Sequence, residues 1–198
     1  NMYLLRWASG VAPAEIATAS PAAAAASFRE DVHAEQQNFA ATVVSTDPAA
    51  DFWYWSSVVA GDPTYGAASA HAALPDAAAS NGTAHLHVTL RGASTTGVPD
   101  EHHAIVSVNG SEVGSLTWSA LDQVAGDFDF AQALLLPGDN VVQILGQLDG
   151  GVPYSYFYLD AIDVSYDRLF KASNGALEFA AGANAAVTVG GLPASHVS

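Results

Sequence analysis

The sequence contains no cysteine at any of its 198 positions. A chain without cysteine has no disulfide framework, no thiolate ligand for zinc and no cysteine nucleophile. It also lacks the Gly-x-Ser-x-Gly turn that presents the nucleophile of many serine hydrolases. Nucleophilic catalysis by this chain therefore has little support from the sequence.

Basic residues are scarce, with five Lys and Arg against 20 Asp and Glu, which gives a formal net charge of −15. Such a chain repels phosphate backbones and cannot form the basic stripe that nucleic-acid binding requires. No run of apolar residues approaches the length that crosses a bilayer, and no signal-peptide pattern opens the chain. We expect neither nucleic-acid binding nor membrane insertion, and the abrupt ends suggest a piece of a longer protein.

Short β-type runs separated by Gly, Asn, Asp and Pro dominate the chain, at the spacing of a sandwich or barrel. Asn109-Gly110 lies between the alternating runs at 104–108 and 111–118, and this dipeptide supplies the two positive φ angles of a type I′ turn. The sequence therefore predicts a β-hairpin here. Further strands are predicted near 85–90 and 127–130.

The long apolar run from 154 to 166 needs an extra residue if all its large side chains are to share one face. We predict a β-bulge near Ala161 for that reason. The buried face is predicted to hold thirteen side chains: Leu86, Val88, Leu90, Ile105, Val108, Leu116, Phe128, Phe130, Val142, Ile144, Leu159, Ile162 and Val164. Residues 28–39 fit neither the helical nor the strand period, so periodicity leaves that segment open.

The C-terminal residues show a separate small pattern. A strand-like run at 177–179 is followed by the turn residues 182–185 and a second run at 186–189. This pattern predicts a short hairpin. We therefore expect a β-sandwich domain over residues 1–170, with residues 171–198 as the opening hairpin or linker of a following module.

Two segments resemble the closing strands of galactose-binding-like jelly rolls, the fold of many carbohydrate-binding modules. They are LLLPGDNVVQI at 134–144 and YLDAIDV at 158–164. The resemblance implies an all-β, two-sheet jelly-roll sandwich.

A second resemblance covers residues 2 to about 190, and its motifs are MYLLRW at 2–7, VHAEQQN at 32–38, DFWYW at 51–55, DEHHAIVSVNG at 100–110, LPGDNVV at 136–142 and YLDAIDVSYDRLF at 158–170. In this order they are similar to the non-catalytic region that precedes the catalytic domain in bacterial gingipain-type C25 cysteine peptidases. The resemblance implies a secreted or cell-surface protein, and an extended strand at 28–39.

It also implies that any peptidase chemistry lies downstream, outside this chain. We expect a non-enzymatic accessory domain, either a pro-region or a docking module, whose partners are the downstream domains of the same polypeptide. A carbohydrate-binding module is the alternative.

Calcium is the ion that the jelly-roll resemblance implies, although no cofactor is required. Such modules frequently hold a structural calcium with a Glu of an early strand and the Asp of the final Leu-Asp-x-Ile strand. Glu35 and Asp160 occupy the matching positions. Calcium takes six to eight oxygen ligands, so carbonyls, amides or water must complete the site. The competing interpretation is an exposed strand glutamate and a hydrogen-bonded bulge aspartate.

Sugar binding would require exposed aromatic rings, because pyranose rings stack on Trp and Tyr faces. The densest cluster is Trp53, Tyr54 and Trp55, which are the candidate ligand-binding residues. Packing in the core or at the rim is the favoured alternative for most aromatic residues. If the cluster is exposed in part, strand alternation predicts that either Tyr54 or the Trp53/Trp55 pair is exposed, never all three.

Four histidines form the last candidate group. His85 and His87 lie two apart on one strand face, a spacing that can bind zinc or copper if a neighbouring strand adds a third ligand. His102 and His103 open another strand, after Asp100 and Glu101. A polar solvent-facing surface is the favoured interpretation. A metal-dependent hydrolase built on these histidines is the enzymatic alternative.

Overall fold

The computed structural model describes residues 2–6, 25–42, 49, 51–180 and 186–192. The strands are β1 (Met2–Arg6), β2 (Ser27–Glu35), β3 (Phe39–Ala40), β4 (Trp53–Tyr54), β5 (Ser56–Val59), β6 (Ala67–Leu74), β7 (Thr83–Gly92), β8 (His102–Val108), β9 (Ser111–Trp118), β10 (Gln123–Ala131), β11 (Gly138–Gly146), β12 (Tyr156–Leu169) and β13 (Ala176–Ala180). A 3-10 turn occupies Gln132–Leu134. Within the described ranges, no helix is long and apolar enough to cross a membrane.

The strands form two main sheets that enclose one core. One sheet has the order β10-β7-β12-β2, with β5 also paired to β12, and the other has the order β6-β11-β8-β9. Neighbouring strands in both sheets are antiparallel. The expected all-β, two-sheet jelly-roll sandwich is therefore confirmed.

The core follows the period of two that β-strands impose on side chains. Along β7, Leu86, Val88 and Leu90 are fully buried. Most of the predicted core is confirmed, and Leu116 packs against it while staying partly exposed. Ile105 was predicted wrongly. Because alternate residues of β8 point inward, Val108 is buried and Ile105 lies on the outer face.

Two local predictions are confirmed by the backbone. Asn109 and Gly110 have φ angles of 49° and 82°, and they join β8 to β9 as the expected hairpin. In β12 the pairing with β7 shifts register between Leu159 and Ala161, so Asp160 is the extra residue of a bulge. The bulge lets Leu159 and the later apolar residues of β12 share the buried face.

In the segment that periodicity left open, residues 28–35 belong to the extended strand β2, as the C25 resemblance implied, whereas 36–38 lie outside any strand and Phe39 begins β3. Its Phe28 packs against Phe170 and Phe179 at ring-centroid distances of 5.0 and 5.9 Å. These contacts hold β13 against the sandwich. The boundary between residues 170 and 171 stays a prediction.

The expected C-terminal hairpin stays a prediction, although its first run forms the strand β13. β13 pairs with β1, from Met2 opposite Ala180 to Arg6 opposite Ala176. In the described part of the C-terminus, Val187 bridges to Ala25, while the predicted turn at 182–185 lies outside the described residues. Phe179 of β13 also packs with Phe28 of β2 and with Phe170.

Candidate functional site

The bulge in β12 lies where two other strands meet end to end. β2 pairs with residues 161–169 of β12, and β5 pairs with residues 156–159 along the same edge. Asp160 falls between the two pairings. The chain leaves β2 at Glu35 and returns to β5 after an excursion that contains β3 and β4. This topology opens the sheet edge beside Asp160.

Three carboxylates converge at this opening. One oxygen from each of Glu35, Asp51 and Asp160 lies within 4.8 Å of the other two, and we call this group the acidic triad. Glu35 and Asp51 are exposed, whereas Asp160 is half-buried. Gln37 Nε2 donates to Glu35 Oε1 at 3.2 Å, and the backbone N–H of Trp53 donates to Asp51 Oδ1 at 2.9 Å.

The structure thus brings together the two residues that the sequence predicted, and it adds Asp51. Asp51 was missed because it lies on the excursion between β2 and β5, where no periodic pattern sets a position. The available signal was its place at the start of the aromatic run, directly before Phe52.

The electrostatics of the triad favour a bound cation. Burial, followed by the charges of Asp51 and Glu35, raises the pKa of Asp160 to about 6, while His33 and Arg91 act in the opposite direction. Like charges at this spacing disfavour ionisation of the most buried member. All three donors are hard oxygens, which suits calcium better than zinc. The donor chemistry therefore fits calcium, with carbonyl or water oxygens completing the shell.

His33 borders the acidic triad. Its Nδ1 lies 2.7 Å from Asp163 Oδ1, and its Nε2 lies 3.4 Å from Glu35 Oε2. The hydrogen bond to Asp163 is the largest contribution that raises the pKa of His33. Glu35 is thus held from one side by an imidazole.

The predicted aromatic trio divides between surface and core. Trp53 is 38% exposed, whereas Tyr54 and Trp55 are 3% and 6% exposed. The Tyr54 ring stacks on Tyr158 with centroids 4.7 Å apart. Phe52 is also 38% exposed, and its ring centroid lies 6.0 Å from that of Trp53. Two exposed rings therefore follow Asp51 closely in the chain.

The alternation argument failed at Trp55 because β4 ends at Tyr54. β4 pairs with β3, whereas β5 begins at Ser56 and pairs with β12. The backbone changes sheet at Trp55, so its side chain turns into the main core. Tyr54 and Trp55 are therefore not available for stacking on a ligand.

The four histidines do not form the catalytic group that the enzymatic alternative required. His102 is fully buried on β8, with Nδ1 2.9 Å from Ser155 Oγ and Nε2 2.8 Å from the Ala120 carbonyl oxygen. His85 and His87 stand on the outer face of the other sheet. The two strands belong to different sheets, so no single cation can join the four imidazoles.

Comparison with known proteins shows a likeness of fold. No family model matches the chain, and no curated protein sequence matches it. Among solved structures, dimeric latent PorU from Porphyromonas gingivalis superposes with a TM-score of 0.52 at 15% identity. The match covers 86% of this chain and 15% of PorU, so the chain spans only a small part of that protein's length.

Two carbohydrate-binding modules superpose less closely. A CBM36 module solved with calcium and xylotriose has a TM-score of 0.37 and 14% identity over 68% of this chain and 98% of the module. A family 35 module from an environmental isolate has a TM-score of 0.37 and 16% identity over 94% of this chain and 99% of the module.

Proposed function

We propose that this chain is a non-catalytic binding module that takes calcium at the acidic triad and carbohydrate at the adjoining rings of Phe52 and Trp53. The observation that carries the proposal is the convergence of three carboxylates from three chain segments at one bulge. Asp51 belongs to the triad and also accepts a hydrogen bond from the Trp53 backbone, so the two parts of the site are physically joined.

Calcium would be held by Glu35, Asp51 and Asp160, where its charge would offset their mutual repulsion. The protein contributes two further elements. Exposed aromatic rings present flat apolar faces on which a pyranose can stack. The amide of Gln37, next to the triad, can exchange its bond to Glu35 for a sugar hydroxyl. Such a small aromatic and polar patch is typical of sugar recognition.

The test measures calcium binding and carbohydrate binding separately. Calcium-free protein is titrated with CaCl₂ by calorimetry, and its migration is then followed in affinity gels that contain a panel of polysaccharides, with calcium or with EGTA. Glu35→Gln should weaken calcium binding at least tenfold. Trp53→Ala should keep calcium binding and lose polysaccharide retardation.

Tyr65→Ala is the matched control, because Tyr65 is a 64% exposed aromatic residue in a separate turn. It should bind calcium and polysaccharide as the parent protein does. Equal retardation of the Trp53→Ala and parent proteins on a polysaccharide that binds the parent would contradict the stacking role.

A second candidate function is an accessory pro-region or docking module of a secreted, C25-type peptidase-like protein. The order of the sequence motifs supports it, together with a fold match that covers 86% of this chain but a small fraction of PorU. This function predicts stable association between the separately expressed chain and the downstream part of its own polypeptide. Failure of the two parts to co-elute would count against it, whatever the outcome with polysaccharides.

A further inference from the structure

A separate cluster of two histidines and two aspartates lies on the outer face of the five-stranded sheet. His85 and His87 alternate with the buried Leu86 and Val88 of β7, so both imidazoles project outward. On the neighbouring strand β10, Asp127 stands directly opposite His87 and Asp129 directly opposite His85. Strand pairing thus places two histidines and two aspartates at the corners of a square on this face, which we call the His-Asp square.

Two imidazole nitrogens of this square approach one carboxylate oxygen. His87 Nδ1 lies 2.7 Å from Asp127 Oδ1, and His85 Nε2 lies 3.2 Å from the same atom. Ligand atoms around a tetrahedral zinc with bonds of about 2.0 Å are roughly 3.3 Å apart. The 3.2 Å approach matches that separation, whereas the 2.7 Å approach is a hydrogen-bond distance and the two nitrogens lie more than 4.8 Å from each other without an ion. Binding therefore requires the two half-exposed imidazoles to rotate toward each other around Asp127.

Asp129 supplies the support that metal-bound histidines usually have. Its Oδ1 lies 2.9 Å from His85 Nδ1, on the side of the ring away from the nitrogen that faces Asp127. A carboxylate in this position accepts the Nδ1–H proton and leaves the Nε2 lone pair free for a metal. The contact therefore orients His85 and selects the tautomer that can bind an ion.

We propose that His85 Nε2, His87 Nδ1 and Asp127 Oδ1 bind one divalent transition-metal ion, with Zn²⁺ as the reference ion and water in the remaining position. Asp129 is a positioning residue. Imidazole nitrogens select zinc and copper, whereas the oxygen donors of the acidic triad select calcium. The net charge of −15 raises the local concentration of cations around the chain. This site is independent of the proposed calcium and carbohydrate functions.

Calorimetry with ZnCl₂ on the full chain, free of a polyhistidine tag and saturated with calcium, tests the site. One equivalent of zinc should bind. His85→Ala and His87→Ala should each lower the affinity at least tenfold, and Asp127→Asn should do so as well. His71→Ala is the matched control, because His71 is an exposed strand histidine that pairs with a single aspartate, Asp139, on the other sheet. It should leave zinc binding unchanged.

Nitrogen-15 NMR of the imidazoles gives a readout that a general structural effect would not move. Zinc should shift Nε2 of His85 and Nδ1 of His87, and Asp129→Asn should lower the affinity about tenfold while changing the tautomer population of His85. Absence of stoichiometric zinc binding would overturn the proposal. So would loss of zinc binding in His71→Ala equal to the loss in His85→Ala.

Discussion

Asp160→Asn should raise the free energy of unfolding of the calcium-free protein and lower that of the calcium-bound protein. In the calcium-free protein, the Asp160 carboxylate is disfavoured by burial and by the charges of Asp51 and Glu35, which raise its pKa to about 6 from an ordinary 3.8. A change of that size corresponds to roughly 3 kcal/mol at neutral pH, and solvent screening reduces it to about 1–2 kcal/mol. Asp160→Asn should therefore stabilise the calcium-free protein by about 1–2 kcal/mol.

With calcium bound, the order of stability of the parent protein and Asp160→Asn should be the opposite. An ion at a concentration one hundred times its dissociation constant stabilises the folded state by about 2.7 kcal/mol. The parent protein gains this stabilisation, whereas Asp160→Asn has lost a ligand and gains little. With calcium, the parent should become the more stable of the two by roughly 0.7–1.7 kcal/mol.

The pH dependence of the calcium-free protein follows from the same group. Because the folded-state pKa of Asp160 lies above its unfolded value, the folded state binds more protons between pH 4 and 6. The contribution of Asp160 to stability therefore rises mainly as the pH falls from about 6 toward 4. Asp160→Asn removes this rise, so the stability difference between variant and parent should shrink toward pH 5.

Urea unfolding followed by tryptophan fluorescence, with EGTA or with calcium, measures these differences. Asp139→Asn is the control, because Asp139 is an exposed carboxylate on the other sheet. Its effect should stay within about 0.5 kcal/mol in both conditions. If Asp160→Asn destabilises the calcium-free protein, or if calcium stabilises both proteins equally, the repulsion argument is wrong.

Two further predictions concern the contact between the β7–β8 connection, residues 93–101, and the β9–β10 connection, residues 119–122. Burial acts to raise the pKa of Glu101, but hydrogen bonds from Thr96 and from the Ala120 backbone N–H outweigh it and lower the pKa. The stabilisation that Glu101 gives is therefore present above pH 4.5 and is lost as the pH falls through the folded-state pKa. Glu101→Gln should cost about 1.5–3 kcal/mol at pH 7 and flatten the acid limb of the stability curve, as urea titrations at several pH values would reveal. Gly92→Ala should cost about 1–3 kcal/mol in thermal unfolding, because a Cβ there would meet the Ala120 carbonyl oxygen at 1.9 Å, whereas the control Gly150→Ala meets nothing within 4 Å. A neutral effect of Glu101→Gln would contradict the stabilising role of its hydrogen bonds, and a neutral effect of Gly92→Ala would contradict the close approach to Ala120.

Local sequence chemistry was enough to predict several features of the fold. The Asn109-Gly110 turn needs positive φ angles that few other dipeptides supply, so its hairpin could be predicted without tertiary information. The bulge at Asp160 followed from counting which apolar residues of β12 must share a face. Ile105 shows the limit of this approach, because the apolar run of β8 contains large residues at both alternations and only the sheet decides which set is buried.

Features that depend on distant pairing could not be predicted. Asp51 reaches the acidic triad only because β2 and β5 meet end to end on β12, and no local pattern encodes that meeting. Trp55 turns inward because the chain changes sheet there. β13 pairs with β1, at the opposite end of the chain, and no local pattern encodes that pairing.

Calcium binding to an Asp51→Asn variant tests the central claim most directly, because Asp51 joins the site only through the three-dimensional arrangement. The two proteins should be compared by calorimetry in the same calcium-free buffer. We predict one equivalent of calcium bound by the parent protein, and an affinity at least tenfold weaker for Asp51→Asn. Identical calcium affinities for the two proteins, or no saturable binding by the parent, would contradict the account.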